Sequence, residues 1–257
     1  MEGYELFKES ILKKTGINLS LYKEKQMKRR LESLASKHGF KSFGDYFKAI
    51  DKDKDAFNEF INYMTINVSE FYRNPEQWQI LEKEIIPFLL EKNKNLKIWS
   101  AACSTGEEPY SLVMLLSKFM PLKNITINAT DLDDEAMRKA KIGLYVEKSL
   151  KNLPKEFVDN FFTKEGNFYG IKNEIKERVQ FKKHNLLKDS YIDGCDMIVC
   201  RNVMIYFTEE AKAEIYKKFS DSLKPHGRLF VGSTEQIIMP AKYNLKPVKT
   251  FFYSKVD

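Results

Sequence analysis

Cysteine and histidine are scarce in this 257-residue sequence, which contains three of each. An odd number of cysteines without a Cys-x-x-Cys or Cys-x-x-His pair argues against a disulfide scaffold and predicts reduced thiols. The histidines are scattered, so neither residue type predicts a metal site. No run approaches the roughly 18 unbroken apolar residues of a membrane span, and the acidic start MEGYELFKES is unlike a signal peptide. We therefore expect a cytoplasmic protein without membrane insertion and without a metal.

Acidic residues are outnumbered by basic ones, which gives a formal net charge of +7 and a pI of about 9.0. One interpretation is a Lys-rich soluble protein. The other is an acidic partner, which could be nucleic acid, an anionic membrane or an acidic protein surface. Charge alone does not choose among them. The 43% hydrophobic content suffices for one large domain or two small ones.

The first 66 residues predict a small helical bundle, because their apolar residues recur every three or four positions. No alternating strand pattern occurs in this part of the chain. We therefore predict three regions: a helical domain at 1–70, a linker or helix at 71–94, and a second domain at 95–257.

One predicted helix of the first region is strongly basic. Residues 21–41 contain seven Lys or Arg and two Glu. A solvated face whose lysine stems cover apolar surface would explain most such helices. The run Lys28-Arg29-Arg30 has little acidic compensation, so it also favours a docking face for an acidic partner.

Beyond residue 95, short strands alternate with helices, which predicts a parallel, doubly wound sheet and hence an α/β fold. The predicted strands are Lys97–Ala101, Ile125–Thr130, Val179–Lys183, Asp196–Cys200, Arg228–Gly232 and Thr250–Ser254. The predicted helices are Pro109–Phe119, Asp133–Lys141 and Thr208–Leu223. A hairpin-like stretch at Phe161–Ile175 interrupts the alternation and predicts a small antiparallel β subdomain inserted at 161–180.

Ligands of open parallel sheets bind beyond the carboxyl ends of the strands, so each strand end is informative. The first is WSAACSTGEEPYS (99–111), in which a strand leads through Gly106 to Glu107 and Glu108. It matches neither GxGxxG nor a P-loop. Two acids here would repel a pyrophosphate and suit a ligand with a positive group. Taken alone, however, acids that complement a helix N-terminus are the simpler explanation.

Two further strand ends carry polar side chains that suit a nucleoside. Asp131 follows a strand at about the place where an acid binds ribose hydroxyls in nucleotide folds. Helix capping is the alternative, which Asp133 or Asp134 could also perform. Asn185 follows another strand, where its amide could read an adenine edge or simply form an Asx turn.

The fourth strand end is DMIVCRNVMIYF (196–207), in which Arg201 and Asn202 precede an apolar run with Tyr206. A capped turn with core aromatics would explain these residues individually.

In combination, the four strand ends indicate a more specific ligand than any one of them does. A ribose-binding acid without a phosphate-binding glycine loop argues against NAD. Adenine and ribose contacts with additional acids suit S-adenosylmethionine, which carries a sulfonium and an amino group.

Five segments, taken together, resemble the chemotaxis receptor methyltransferases, the CheR family. They are NVSEFYRN (67–74), WSAACSTGEEPYS, ATDLDDEA (129–136), KKHNLL (182–187) and CRNVMIYF (200–207). The basic helix and the closing FVGSTEQ (230–236) extend the resemblance over nearly the whole chain. It implies an N-terminal all-helical domain joined to a Rossmann-like S-adenosylmethionine methyltransferase domain with a small antiparallel β insertion. It also implies methylation of glutamates on the cytoplasmic helices of chemoreceptors, giving glutamyl methyl esters and S-adenosylhomocysteine.

The resemblance also implies roles for individual residues. The implied cofactor contacts are Asn67, Ser69 and Arg73, Glu108 at the methionine end, Asp131 at the ribose, Asn185 and Leu186 at the adenine, and Arg201 and Asn202 along the pocket. Ser69 stands where many members have Thr, which keeps the hydroxyl. Tyr206 is expected beside Arg73 at the methyl group, as the catalytic pair. Phe71 and Tyr72 are expected to anchor this segment over the site.

Two rival functions were weighed. A nucleic-acid methyltransferase would share the fold class and the basic charge, but CRNVMIY is not the Asn/Asp-Pro-Pro-aromatic motif of base amino methylation. A non-catalytic cofactor-binding module should have lost Arg73 and Tyr206, and both are present. We therefore expect a monomeric enzyme that docks receptors through Lys28, Arg29 and Arg30 and does not bind nucleic acid.

Overall fold

The structure, a computed structural model, describes residues 1–256 and begins with a bundle of helices. These helices are α1 (Tyr4–Thr15), α2 (Glu24–Lys37), α3 (Phe43–Lys52) and α4 (Lys54–Thr65). Side-chain oxygens of Ser42 and Asp53 accept bonds from free backbone amides at the starts of α3 and α4. Apolar residues recur at helical spacing along these helices. Phe7, Leu31 and Phe60 are among them and are fully buried. The predicted helical bundle is therefore confirmed.

A broken helix follows and packs on the second part of the chain. It consists of α5 (Pro75–Ile80), a π-helical turn at Leu81–Ile85, and α6 (Ile86–Lys92). Pro75 occupies the first turn of α5, where backbone N–H groups have no acceptor within the helix, so its missing N–H costs no hydrogen bond. Trp78 is 1% exposed and lies in the same apolar cluster as residues of the main sheet. The predicted linker is thus a packed element of the α/β part.

Strands and helices alternate through the rest of the chain. The strands are β1 (Ile98–Ala101), β2 (Ile127–Asp131), β3 (Leu144–Val146), β4 (Phe162–Glu165), β5 (Phe168–Ile171), β6 (Val179–Lys183), β7 (Cys195–Cys200), β8 (Leu223–Val231), β9 (Leu245–Lys249) and β10 (Phe252–Lys255). The helices are α7 (Glu107–Leu116), α8 (Asp134–Ile142), α9 (Lys155–Phe161), α10 (Asn173–Lys176) and α11 (Glu209–Ser222). Single 3-10 turns lie at Leu19–Leu21, Leu122–Asn124, Glu147–Leu150, Met204–Tyr206 and Pro240–Tyr243.

The main sheet has the order β6-β2-β1-β7-β8-β10-β9. Its first five strands are parallel, and β10 runs antiparallel to both of its neighbours. From β1 the chain proceeds to β2 on one side and later returns to β7 on the other. The order therefore reverses between β1 and β7, and the carboxyl ends of these strands are where this class of sheet binds ligands.

A second sheet of order β3-β5-β4 is antiparallel. The predicted small insertion is present, but its predicted bounds of 161–180 were wrong at both ends. Its edge strand β3 begins at Leu144, and Val179 already pairs with Ile127 in the main sheet. β3 has only three residues, which is too short for an alternating apolar pattern.

Other element bounds differ from the predicted ones by a few residues. α7 begins at Glu107 instead of Pro109, and β2 includes Asp131 as its last residue. β8 begins at Leu223, directly after α11, instead of at Arg228. The α/β fold class with its N-terminal helical domain is confirmed, and the shifts lie at element ends, where periodicity is least informative.

The helical domain joins the α/β domain through backbone pairing beside the strand ends. The Lys23 amide donates to the Tyr206 carbonyl, and the Thr208 amide donates to the Leu21 carbonyl, each at 2.9 Å. Between these bonds the rings of Tyr22 and Phe207 meet edge to face, with centroids 5.0 Å apart. The helical domain is thereby held over the carboxyl ends of the strands.

Candidate active site

A cleft lies between the two domains at the switch point of the sheet. Its walls come from five parts of the chain: Tyr22, residues 64–73, the turn after β1 with Glu108, the end of β2 with 184–186, and the loop 201–207. Its empty space is about 970 Å³ when the open mouth is included. The side chains of all nine predicted cofactor contacts and of Tyr206 line this one cleft.

The turn after β1 has an unusual backbone. Ala102, Ser104 and Gly106 all have positive φ, with values of 66°, 48° and 94°. A Cβ at Gly106 would lie 2.8 Å from the Cβ of Ala140, so both conformation and space require glycine. This compact turn aims the Ser104 amide at Asp131, whose Oδ2 accepts at 2.7 Å.

Asp131 is a buried carboxylate at the end of β2 and is 7% exposed. Its Oδ1 accepts a second bond from the Asp133 amide at 2.9 Å. Burial raises the pKa of Asp131 to about 6, against the lowering effect of these amide bonds. Asp133, not Asp134, caps α8 through the amides of Glu135 and Ala136. Capping of α8 is thus performed by Asp133, and Asp131 lines the cleft.

The segment 67–73 runs across the cleft. The amide nitrogen of Asn67 donates to Asp133 Oδ2 at 2.7 Å, and its oxygen accepts from the Ser104 hydroxyl at 2.9 Å. Asn67 therefore ties this segment to both neighbouring strand ends. A guanidinium nitrogen of Arg73 donates to the carbonyl of Val68 at 3.1 Å, which folds the arginine back along its own segment towards the cleft.

Two aromatic residues anchor the same segment on the α/β domain, as predicted. Phe71 is fully buried and meets Tyr145 edge to face, with ring centroids 4.8 Å apart. Tyr72 is stacked on Trp78 at 4.6 Å. Tyr72 has a φ of 50°, a strained value for a non-glycine residue that close packing on both sides maintains.

Arg201 forms a hub under the cleft, and its side chain is only 3% exposed. One guanidinium nitrogen donates to the Arg73 carbonyl at 2.7 Å, to Asn74 Oδ1 at 3.1 Å and to Gln77 Oε1 at 3.0 Å. The other faces Glu108, with 3.8 Å between Nη1 and Oε2. Arg201 therefore joins the end of β7 to the segment that carries Arg73.

The two acids at the start of α7 have different environments. Glu107 is 4% exposed and accepts from the Thr105 hydroxyl at 2.6 Å. Glu108 lines the cleft, accepts from the Ser100 hydroxyl at 2.8 Å and faces Arg201. Burial raises the pKa of Glu108 to about 6, although the Arg201 charge acts against this. Glu108 is thus a half-buried acid that faces the cleft, beside the buried Asp131.

The remaining predicted residues lie on the β6 and β7 sides. Asn185 forms an Asx turn, which was one of its two predicted roles: its Oδ1 accepts from the Leu187 amide at 2.9 Å. It also lines the cleft with Leu186, which is 7% exposed. Asn202 adopts a positive φ of 60°, and Tyr206 forms the end of the same loop.

Sequence reasoning missed several residues that line the cleft, among them Tyr22, and one residue that supports its wall, Glu235. Tyr22 comes from the helical domain, is 7% exposed and lines the cleft. The carboxylate of Asp131 is close enough to add to the burial that raises the pKa of Tyr22. Glu235 lies behind the loop 202–205 and accepts hydrogen bonds from its backbone. Both positions depend on long-range folding, so no local pattern signals them.

The predicted docking residues on α2 differ in accessibility. Arg29 is exposed, whereas Lys28 and Arg30 are half-buried. Lys28 lies over the ring of Tyr4 at 5.6 Å. Arg30 donates to the carbonyl of Tyr63 at 2.5 Å and covers that ring. Arg30 therefore supports the packing of α2 on α4, and Arg29 projects furthest into solvent.

Comparison with known proteins identifies the family. The model described as "CheR methyltransferase, all-alpha domain" matches residues 2–65, and that described as "CheR methyltransferase, SAM binding domain" matches residues 67–252. The chain belongs to the CheR methyltransferase family. Its second domain is therefore a domain that binds S-adenosylmethionine, and the cleft lies within the two matched regions.

Named CheR relatives match along almost their full lengths. A chemotaxis protein methyltransferase of Listeria innocua is 44% identical over 255 residues, which is 99% of this chain and 97% of that protein. The Listeria monocytogenes protein of the same name is 43% identical with the same coverage. The Borreliella burgdorferi protein of that name is 34% identical over 89% of this chain and 88% of its own. The chain is thus a methyltransferase of chemotaxis.

Two features are absent from residues 1–256 of the CheR chain. No group of three or more His, Cys, Asp or Glu side chains there is arranged to hold a metal ion. No helix in that range is both long and apolar enough to cross a membrane.

Proposed function

We propose that the protein transfers the methyl group of S-adenosylmethionine to glutamate side chains on the cytoplasmic helices of chemoreceptors. The products are glutamyl methyl esters and S-adenosylhomocysteine. The observation that carries the proposal is the meeting of the buried Asp131 and the half-buried Glu108 with Arg73 and Tyr206 in one cleft of a CheR chain. The first pair suits a cationic nucleoside, and the second suits a carboxylate substrate.

The electrostatics of the cleft fit S-adenosylmethionine. Asp131 is bonded to backbone amides and has no cationic partner among the interactions of the described residues. Glu108 has the Nη1 of Arg201 at 3.8 Å and, with a smaller effect on its pKa, the charge of Arg73. Burial raises the pKa of both carboxyls to about 6, so a ligand that brings positive charge relieves the cost of ionising them. When bound, the cofactor supplies a sulfonium methyl that a carboxylate can attack directly.

Each predicted contact has a proposed role in holding the cofactor. Asp131 holds the ribose hydroxyls, and Glu108 holds the amino group of the methionine end. Asn185 and Leu186 face the adenine, where the Asx turn fixes the backbone that follows Asn185. Asn67, Ser69, Arg201 and Asn202 complete the walls. Asn67 supports this arrangement by tying its segment to Asp133 and Ser104.

The reacting glutamate needs no general base, because its carboxyl group is already ionised near neutral pH, with a usual pKa of about 4.3. Arg73 orients this carboxylate through two donors of its fork. Tyr206 offers a hydroxyl from the loop 201–207, which lines the same cleft. Closure of the cleft by the 67–73 segment removes water from the carboxylate and aligns it for in-line displacement, which together lower the barrier.

The receptor is proposed to reach the cleft past α2. Methylated receptor segments are acidic, so the exposed Arg29 and the half-buried Lys28 suit a docking role. Arg30 contributes charge while its guanidinium holds Tyr63. Such contacts act over roughly a Debye length, about 8 Å at physiological salt, and raise the rate of encounter.

Transfer of labelled methyl groups tests the proposed function. The full chain is incubated with methyl-labelled S-adenosylmethionine and either a chemoreceptor cytoplasmic fragment or RNA of equal mass. We expect label on the receptor, lost in mild base as esters are, and none on RNA. Base-stable label on receptor, or label on RNA alone, would overturn the proposed reaction.

A further inference from the structure

The buried carboxylate of Glu235 holds the loop that carries Asn202 and Tyr206. Its Oε2 accepts from the amides of Asn202 at 2.5 Å and Gly232 at 2.9 Å. Its Oε1 accepts from the amides of Met204 at 2.7 Å and Ile205 at 3.3 Å. Four converging N–H groups are thus satisfied by one side chain, which is 5% exposed.

The backbone of the loop is folded around this carboxylate. Asn202 has a φ of 60°, which turns its amide towards the inside of the loop together with those of Met204 and Ile205. Successive amides that converge in this way form a concave anion site. Elsewhere such sites hold external anions, but here a carboxylate of the same chain fills it. The site therefore has an internal ligand, and the shape of the loop depends on it.

The close approach of Gly232 has the same cause. A Cβ at position 232 would lie 2.5 Å from Glu235 Oε2 and 2.8 Å from the Asn202 amide nitrogen. Any side chain there would push the carboxylate away from the loop. The segment FVGSTEQ therefore supplies both the anion and the space that it needs.

We propose that Glu235 is a positioning residue for methyl transfer, acting through the loop that places Asn202 and Tyr206. Glu235 is not among the residues that line the cleft, so it reaches neither cofactor nor substrate directly. A carboxylate is needed because each of its two oxygens accepts from two amides. The amide of glutamine would point an NH₂ group at two N–H donors, and aspartate would be one methylene too short. This inference rests on the proposed function, since Tyr206 is assigned to the reaction centre.

Removal and chemical rescue of the carboxylate test the proposal. Wild type, Glu235→Ala, Glu235→Gln and the surface control Glu214→Ala are assayed for methylation of a receptor fragment, with and without acetate. We expect Glu235→Ala to lower kcat by about 100-fold, the loss expected for a misplacement of about 1 Å. Acetate should restore at least a tenth of the activity, because it fits the empty anion site, whereas neutral acetamide should not. Glu235→Gln should lose kcat and gain nothing from acetate.

The outcomes separate the possible failures. An inactive wild type would sink the proposed function, whereas an active wild type with an equally active Glu235→Ala would sink only the positioning role. If Glu235→Ala does not fold, as judged by circular dichroism, the isosteric Glu235→Gln decides the question. A lower kcat at unchanged melting temperature supports positioning of Tyr206, and a higher KM for cofactor would report the accompanying displacement of Asn202. A loss of activity that only follows a loss of folded protein overturns it.

Discussion

The guanidinium of Arg201 lies 2.7 Å from the carbonyl oxygen of Arg73, although the two arginines are 128 positions apart in the chain. The buried arginine thus fixes the backbone of the one proposed to orient the substrate. Because Arg201 also faces Glu108, one side chain links the proposed cofactor wall to the proposed substrate wall. The roles of these residues can be separated by substitution.

Arg73→Ala should remove most methyl transfer while cofactor affinity stays within a few-fold. The fork that orients the carboxylate is lost, whereas the backbone carbonyl that Arg201 holds remains. Methylation rates and calorimetric affinity for S-adenosylhomocysteine check this. Equal losses of activity and affinity would show that Arg73 serves the cofactor instead.

Asp131→Asn should weaken cofactor binding by about tenfold, corresponding to about 1.4 kcal/mol for lost charge-assisted bonds. Asparagine keeps the size but turns an NH₂ group towards the amide of Ser104 or Asp133, so the turn loosens as well. Calorimetry measures the affinity, with Asp134→Asn, on the exposed start of α8, as control. An unchanged affinity would contradict the ribose assignment.

Cofactor affinity should fall as the pH drops through about 6. Burial raises the pKa of both Glu108 and Asp131 to about 6, so below that pH they become neutral and no longer attract the cofactor. A bound cation favours the ionised carboxylates and lowers their pKa values, so binding near pH 6 should release protons. Calorimetry in buffers of different ionisation enthalpy measures this release. Glu108→Gln should reduce the number of protons released. An unchanged number would show that Glu108 does not interact with the bound cofactor.

Charge reversal on α2 should raise KM for the receptor without changing cofactor affinity. Lys28→Glu with Arg29→Glu is the informative variant, because Arg30 also holds Tyr63 and its loss would disturb packing. Lys94→Glu is the matched control on an exposed position. Receptor KM should also rise with salt in the wild type. A KM that is insensitive to salt would count against electrostatic docking.

Arg201→Lys should destabilise the fold by about 3 kcal/mol, within the range for breaking a buried ionic network. Lysine keeps the charge but lacks the planar fork that reaches Arg73, Asn74 and Gln77. Denaturant unfolding measures the change, with the exposed Arg138→Lys as control. If both variants unfold at the same denaturant midpoint, the hydrogen bonds of the Arg201 guanidinium do not contribute to stability.

The sequence predicted features that depend on local pattern. The acids at strand ends, the helical bundle and the sheet class follow from periodicity and from where parallel sheets bind ligands. The assignment of Asp133 as helix cap was left open among neighbours, and only the hydrogen bonds of the structure distinguish it from Asp134. The individual site roles and the domain boundary at 70 stay predictions, and the family match for the helical domain ends at residue 65.

Features that depend on distant parts of the chain could not be predicted. Tyr22 reaches the cleft only because its segment pairs with 206–208. Glu235 contacts the loop at 202–205 only because β8 lies beside β7 in the sheet. Tyr22 is placed by backbone pairing, and the Glu235 carboxylate accepts from backbone amides, so in both cases the partner supplies main-chain groups, which any sequence possesses. The amino-acid pattern around Tyr22 and Glu235 therefore does not indicate which distant segment each of them contacts.

The backbone pairing of residues 21–23 with 206–208 affects how readily the helical domain can be exchanged between relatives. Its two hydrogen bonds use only main-chain atoms, so this pairing makes few demands on side-chain identity. The contact of Tyr22 with Phe207 and the hydrogen bond from the Thr65 hydroxyl to Asp133 are side-chain pairs that two parents would have to share. Chimaeras that exchange the helical domain between relatives should therefore assemble when these pairs are kept, and receptor preference could be inherited separately from the methyl-transfer machinery.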